Sequence, residues 1–391
     1  MDNHRVRPVP FPLELSMKIS MRLIPYIWAF ALWLPAAGSL AVASPASPAS
    51  HAPKPALVTA VDAVTSEPQD LRRDVADAYW REVVEPYWRE VAERLLAGQP
   101  SAGTCSPARD AGSCLLAARL LSSSDSGHEQ ARGGGPQQSD RKRMRSLLAA
   151  AAARAEEDPL LYRAMTWDVF KREFPELRER TLIELRRREP DNLQVWLMSL
   201  AGETWTQERL EAAARSTRLE THLYPMLRAD LERLAGITSD APAVDGLPFE
   251  PTSVESVQVI LEGMLMAETM PDLRGLIESC SAVDSAVQAD LHADCWRIAE
   301  RLVGHAESVV DLALGSALMR RIARDPLQRE RAAQARIDYE YLQQGVVETL
   351  KSGEQQRLFM QRIREPGGTE ISATRLTLVD VGLPPELPPA R

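Results

Sequence analysis

The chain has 391 residues, 45% of them hydrophobic but only 5% aromatic, and its 46 basic against 55 acidic side chains leave a net charge of −9. That length buries one large core or two ordinary ones, and 20 Gly with 28 Pro is too little for a collagen-like or wholly disordered chain. The acidic balance argues against a protein built to grip the nucleic-acid backbone, an affinity that comes from clustered Lys and Arg. Four cysteines exclude a disulfide-dense mini-scaffold.

Lys18 and Arg22 precede an apolar run over 23–34, Pro35 and Gly38 then break the helix, and Ala41, Val42 and Ala43 set two small residues one apart. That order of basic stretch, short apolar helix and small-residue site is the pattern of a secretory signal peptide. Cleavage is expected between Ala43 and Ser44, which makes 1–43 a signal peptide and the protein periplasmic or secreted. Met17 and Met21 would each begin a signal of ordinary length, so the start residue is open among Met1, Met17 and Met21. The alternative is an uncleaved segment at 23–43 anchoring the chain in the inner membrane, the only membrane-spanning contact expected.

Residues 44–68 begin SPASPASHAPKP and read as a Pro/Ala/Ser-rich linker. An N-terminal helical lobe is expected over 69–238. It opens with Leu71, Val75, Tyr79, Val83, Tyr87, Val91 and Leu95 at four-residue spacing, with Trp80, Val84, Trp88 and Leu96 beside them. Such rows form a wide apolar face that other helices must cover. The stretch 122–140, SSSDSGHEQARGGGPQQSD, is a flexible insertion in this lobe. Further helices are predicted at 141–157, 160–174, 176–188, 193–201, 206–220 and 223–235. A linker at 239–252 separates them from a C-terminal lobe at 253–365, with helices at 254–268, 273–280, 286–303, 306–323, 328–349 and 354–364. The remainder, 366–391, alternates weakly and ends LPPELPPAR, so it is expected as an extended or disordered tail. The fold class is all-α, a stack of helical hairpins in two lobes.

Two helix pairs close on an acidic residue and a proline, Asp158-Pro159 and Glu189-Pro190, and the second continues Asp191-Asn192 to Trp196 and then Ala212. Here the chain resembles a tetratricopeptide repeat. In that family a proline closes a unit, an aromatic sits early in the next first helix, and a small residue lets the pair pack closely. Pro159 and Pro190 are 31 residues apart, short of the family's ~34, and Ser199-Leu200 stands in place of the family's Leu-Gly. The resemblance implies a degenerate tetratricopeptide-like α-solenoid. It further implies a groove for a protein or peptide partner and no chemistry of its own. Trp196 is assigned to packing, with Gln194 and Glu203 as groove residues.

In an oxidising compartment the local pairs Cys105 with Cys114 and Cys280 with Cys295 read as two disulfides. The rival is a metal site of Cys280, His292, Cys295 and His305, in which His292 and Cys295 share a helix face but His305 is rotated off it. His51, His128 and His222 stand singly, and no nucleophile, phosphate-loop or metalloprotease motif occurs. The basic run Arg141-Lys142-Arg143-Met144-Arg145 reads as a helix end balanced by acidic neighbours, with an anionic-lipid patch as the alternative. No catalytic residue, cofactor, metal or nucleic-acid partner is expected. The function expected is an exported, non-catalytic protein- or peptide-binding scaffold in the cell envelope. The alternative is a cell-envelope enzyme, such as a helical cell-wall hydrolase, whose site forms only in three dimensions.

Overall fold

The structure, a computed structural model, describes residues 85–97, 110–123, 138–235, 237, 254–269, 271, 273–282, 289–349 and 352–387. The signal site Ala43/Ser44, the linkers at 44–68 and 239–252, Cys105 and most of the 122–140 insertion lie outside these residues. The described residues form an all-α stack of sixteen α-helices with no strand, and none is long and apolar enough to cross a membrane.

The first nine helices are α1 (Glu85–Ala97), α2 (Ala111–Ser123), α3 (Gln138–Ala152), α4 (Pro159–Ala164), α5 (Asp168–Glu173), α6 (Pro175–Arg188), α7 (Leu193–Leu197), α8 (Gln207–Arg215) and α9 (Leu223–Leu234). Sequence periodicity misses α2 because this helix is apolar all round: Leu115, Leu116, Ala117, Ala118 and Leu120 are each at most 1% exposed. A fully buried helix has no polar face to give it a period. Its one local signal is Asp110, whose Oδ1 accepts from Gly112 N and Ser113 N as an N-cap. The predicted helix at 160–174 is broken into α4 and α5 at Thr166, whose hydroxyl donates to Arg163 O while its own carbonyl accepts from Arg178 Nε at 2.8 Å. The helix predicted to reach 220 stops at Arg215, because Thr217 N and Arg218 N donate to Asp191 O and Leu193 N donates to Arg218 O. These bonds hold the chain extended beside Asn192.

The remaining helices are α10 (Val254–Thr269), α11 (Arg274–Ala282), α12 (Ala289–Gly304), α13 (Val309–Ile322), α14 (Pro326–Thr349), α15 (Gly353–Arg364) and α16 (Glu370–Asp380). The last corrects the expected extended or disordered tail. Thr369 and Ser372 form a capping box at its start, and Ile371 and Leu378 are buried against Leu312 and Leu342. The weak alternation read at 371–381 conceals a helix that buries Thr374 and Thr377 and leaves Leu376 and Val379 exposed, so its apolar residues mark no single face.

Neighbours pack on neighbours: α1 and α3 on α2, α12 on α13, α13 on α14, and α14 and α15 on α16. At the α12–α13 crossing, a Cβ on Gly315 would lie 2.9 Å from both Leu302 Cβ and Val303 N, so only glycine allows this approach. Longer-range contacts join α8 to α12, α2 to α9, and α9 and α10 to α15. The largest apolar cluster accordingly links α1–α6, α9 and α10 to Phe359, Met360 and Ile363 of α15. A second gathers α7, α8 and α11–α14 around Trp205, Ile298 and Leu302.

Candidate functional site

Cys280 and Cys295 form a disulfide with Cα atoms 5.7 Å apart, tying α11 to α12. With the two sulfurs bonded to each other, the metal alternative loses both thiolates. Its imidazoles are engaged elsewhere: His292 Nε2 lies 2.9 Å from Ile322 O, and His305 Nε2 lies 2.9 Å from Arg301 Nη1. Cys114 is fully buried and is not a free thiol, while its expected partner Cys105 is outside the described residues.

The two expected groove residues are structural instead. Gln194 is 5% exposed and its Nε2 donates to Thr269 O at 2.8 Å, bridging α7 to the end of α10. Glu203 accepts from Arg186 at 2.6 Å and pairs with Arg209 at 3.3 Å. Those two guanidiniums also take the otherwise orphaned carbonyls at the end of α7. Arg186 donates to Val195 O and Met198 O, and Arg209 to Trp196 O and Met198 O. The Glu203 carboxyl is held below its usual range by these arginines although burial opposes it. A five-residue helix cannot satisfy its own ends, so it needs this side-chain cage. Trp196 packs half-buried, with its Nε1 donating to Pro190 O and Arg186 stacked over its ring at 5.2 Å. The closely packed small residues are Ala213 and Ala214; Ala212 is half-buried.

The basic run at the start of α3 is paired with acidic neighbours, Arg143 to Glu93 and Arg141 to Glu173, while Met144 is buried between them. His222 is not solitary. It sits in the left-handed region at φ 57°, with Nε2 3.4 Å from Glu220 Oε2. Burial, aided by Arg163, lowers its imidazole to about 4, so it is neutral at physiological pH.

A different surface has the chemistry of a binding site. Between residues 320 and 336 the sequence has six arginines and two acidic residues, in a chain whose net charge is −9. The end of α13 and the first turns of α14 enclose a groove of about 350 Å³. It is lined by Ala323, Ala332, Ala333 and Ile337 and by Arg320, Arg329 and Arg336. Positions 329, 332, 333, 336 and 337 follow helical i, i+3, i+4, i+7 and i+8 spacing, so α14 turns one face to the groove. Arg336 is paired with Glu340 at 2.6 Å and stacked on Tyr339. Arg329 donates to the Arg324 carbonyl, and among the described residues neither Arg329 nor Arg320 has a carboxylate partner. Ile337 is 40% exposed. The groove falls in the volume range of ligand sites, and its mix of apolar and guanidinium side chains suits an anion carried on an apolar body. Sequence reading passed over it because Arg320 and Arg336 are sixteen residues apart.

Comparison with protein-family models, with curated proteins and with solved structures gives no match for this chain.

Proposed function

We propose that the protein is an extracytoplasmic, non-catalytic helical scaffold, built of degenerate tetratricopeptide-like units, that captures an acidic amphipathic helix of a partner protein along the α13–α14 groove. The observation that carries this reading is the pair of arginines, Arg320 and Arg329, that have no carboxylate partner among the described residues and stand beside exposed Ile337 in a chain of net charge −9. Arg329 and Arg336 are seven residues apart, about 10 Å along the helix at ~1.5 Å per residue. A partner helix with acidic residues two turns apart and leucines between them matches that spacing. The extracytoplasmic placement draws on the signal-like N-terminus and on the Cys280–Cys295 disulfide, a bond characteristic of oxidising compartments.

The test is fluorescence anisotropy with a labelled helical peptide carrying Glu at i and i+7 and Leu at i+3 and i+4. Binding is expected to weaken at least ~10-fold in the Arg320→Glu/Arg329→Glu variant and to fall with added salt. Equal binding by wild type and variant refutes the groove. Hydrolytic turnover of peptidoglycan or peptide that one substitution abolishes in a folded protein would replace the scaffold reading with an enzyme.

A further inference from the structure

Among the described residues most buried carboxylates have a guanidinium beside them: Asp230 and Glu268 meet Arg119, and Glu173 meets Arg141. One group does not. Glu262 of α10 and Glu370 of α16 are 3% and 2% exposed, and they lie with Asp311 of α13 and Glu307 just before it, where α16 docks. Glu370 Oε2 accepts from Val309 N at 2.9 Å, and Asp311 caps α13 through Ser308 N at 3.0 Å. Glu307 accepts from Thr221 Oγ1. Glu262 Oε1 lacks a hydrogen-bond partner of ordinary geometry, and the one hydroxyl turned toward Glu262 is that of Tyr224 on α9, buried beside the same carboxyls and opposing the upward push on Glu262.

The cations on the elements packed around this group point away from it. Arg228 of α9 donates to Ile363 O and Gly368 O, Arg362 of α15 to Thr377 and Asp380, and Arg364 to Met360 O. Arg375 on α16 itself pairs with Glu386. The contacts of α14 with α16 run through Gly345, against Thr374 and Leu378, with Tyr339 and Tyr341 packed on the apolar cluster of Leu312, Leu342, Ile371 and Leu378. Glu220, before α9, adds a further negative charge near Glu307. The adjoining cavity, about 20 Å³ and lined by Tyr224, Thr221 and Asp311, has the size of one water molecule and cannot hold an organic substrate.

We propose that this cluster is a proton-binding site: Glu262 and Glu370 hold protons while α16 is docked, and releasing those protons to solvent water or buffer base loosens the start of α16 from the start of α13, where Val309 N and Glu307 O bond to it. Two uncompensated carboxylates in an apolar site repel each other and lack the hydration they have in water, so protonation is the neutralisation available to them. Burial, with the charge of Glu370, pushes Glu262 up to about 8, and burial, with the charge of Asp311, pushes Glu370 up to about 7 against the bond from Val309 N. Both values lie above the ordinary carboxyl range of the unfolded chain. The associated stability is therefore fully present below about pH 4.3. It is lost as pH rises through the folded values of about 7 and 8. The cluster is separate from the α13–α14 groove and does not depend on the function proposed for it.

Urea unfolding of the full chain from pH 5.5 to 9 tests this, together with hydrogen exchange over 370–380 corrected for the intrinsic pH dependence. The folding constant is expected to fall about tenfold per pH unit for each proton lost, with exchange in α16 rising first. Glu262→Gln is expected to flatten the slope and to protect α16 at pH 8.5. Stability that is flat or rising over this range, or a slope unchanged by Glu262→Gln, overturns the proposal. Should that variant fail to fold, Glu370→Gln takes its place and the α16 exchange decides, because Asp230 and Glu268 add to the wild-type slope.

Discussion

Replacing Arg119 with Met removes a cation held wholly inside the largest apolar cluster of the described residues. Arg119 is 0% exposed, donates to Asp230 at 2.6 Å and to Glu268 at 3.0 Å, and lies 5.3 Å from the centre of the Trp167 ring. It joins α2, α9 and α10, and Arg233 of α9 adds a second link to Asp110 at the cap of α2. Methionine keeps much of the aliphatic volume, so the loss is dominated by two carboxylates stranded in an apolar site. Arg233, 3.3 Å from Asp230, compensates one of them in part. Removing one member of a buried ion pair costs about 3–5 kcal/mol, and with two carboxylates involved the upper half of that range is expected at pH 7. Burial already outweighs the guanidinium and pushes both carboxyls upward. Without Arg119 they rise further, so the folded variant takes up protons as pH falls and recovers stability that wild type does not need. Urea unfolding followed by circular dichroism at pH 7 and pH 5 should show a large deficit at the first and a smaller one at the second. A loss under ~1 kcal/mol at pH 7, or a deficit independent of pH, would refute this account of the core.

Non-reducing peptide mapping should return a linked Cys280–Cys295 fragment and no free thiol, and Cys295→Ser should cost about 3 kcal/mol for a loop of this length. Glu203→Gln should lower stability by roughly 1.5–3 kcal/mol through its charged bonds to Arg186 and Arg209, while leaving peptide affinity within twofold of wild type in the anisotropy assay. Gly315→Ala should destabilise by about 1–3 kcal/mol by thermal unfolding, because the added methyl meets the α12 backbone.

The all-α class was legible because Leu, Val and aromatic residues recur at helical spacing in most segments. It failed where burial erased the period. In α2, Arg119 sits among leucines and alanines and reads as an exposed position, yet it is the most buried arginine of the described residues. In α16, polar Thr374 and Thr377 are buried and return their hydroxyls to Glu370 O and Ala373 O, so neither face looks apolar. The Cys280–Cys295 pairing was readable from spacing and compartment alone. Gln194 and Glu203 were misread because polarity near a repeat motif suggests a surface; the short α7 in fact needs polar groups to close its own ends. The α13–α14 groove and the Glu262–Glu370 cluster depend on which helices meet, information that no local pattern contains.

Photo-crosslinking of the acidic amphipathic peptide to the full-length protein, followed by mass mapping of the labelled residues, addresses the scaffold reading most directly. The account predicts labels concentrated between Arg320 and Ile337, lost in the Arg320→Glu/Arg329→Glu variant and suppressed by salt. Labels concentrated on any other surface, or labels at the groove that survive charge reversal, would contradict it.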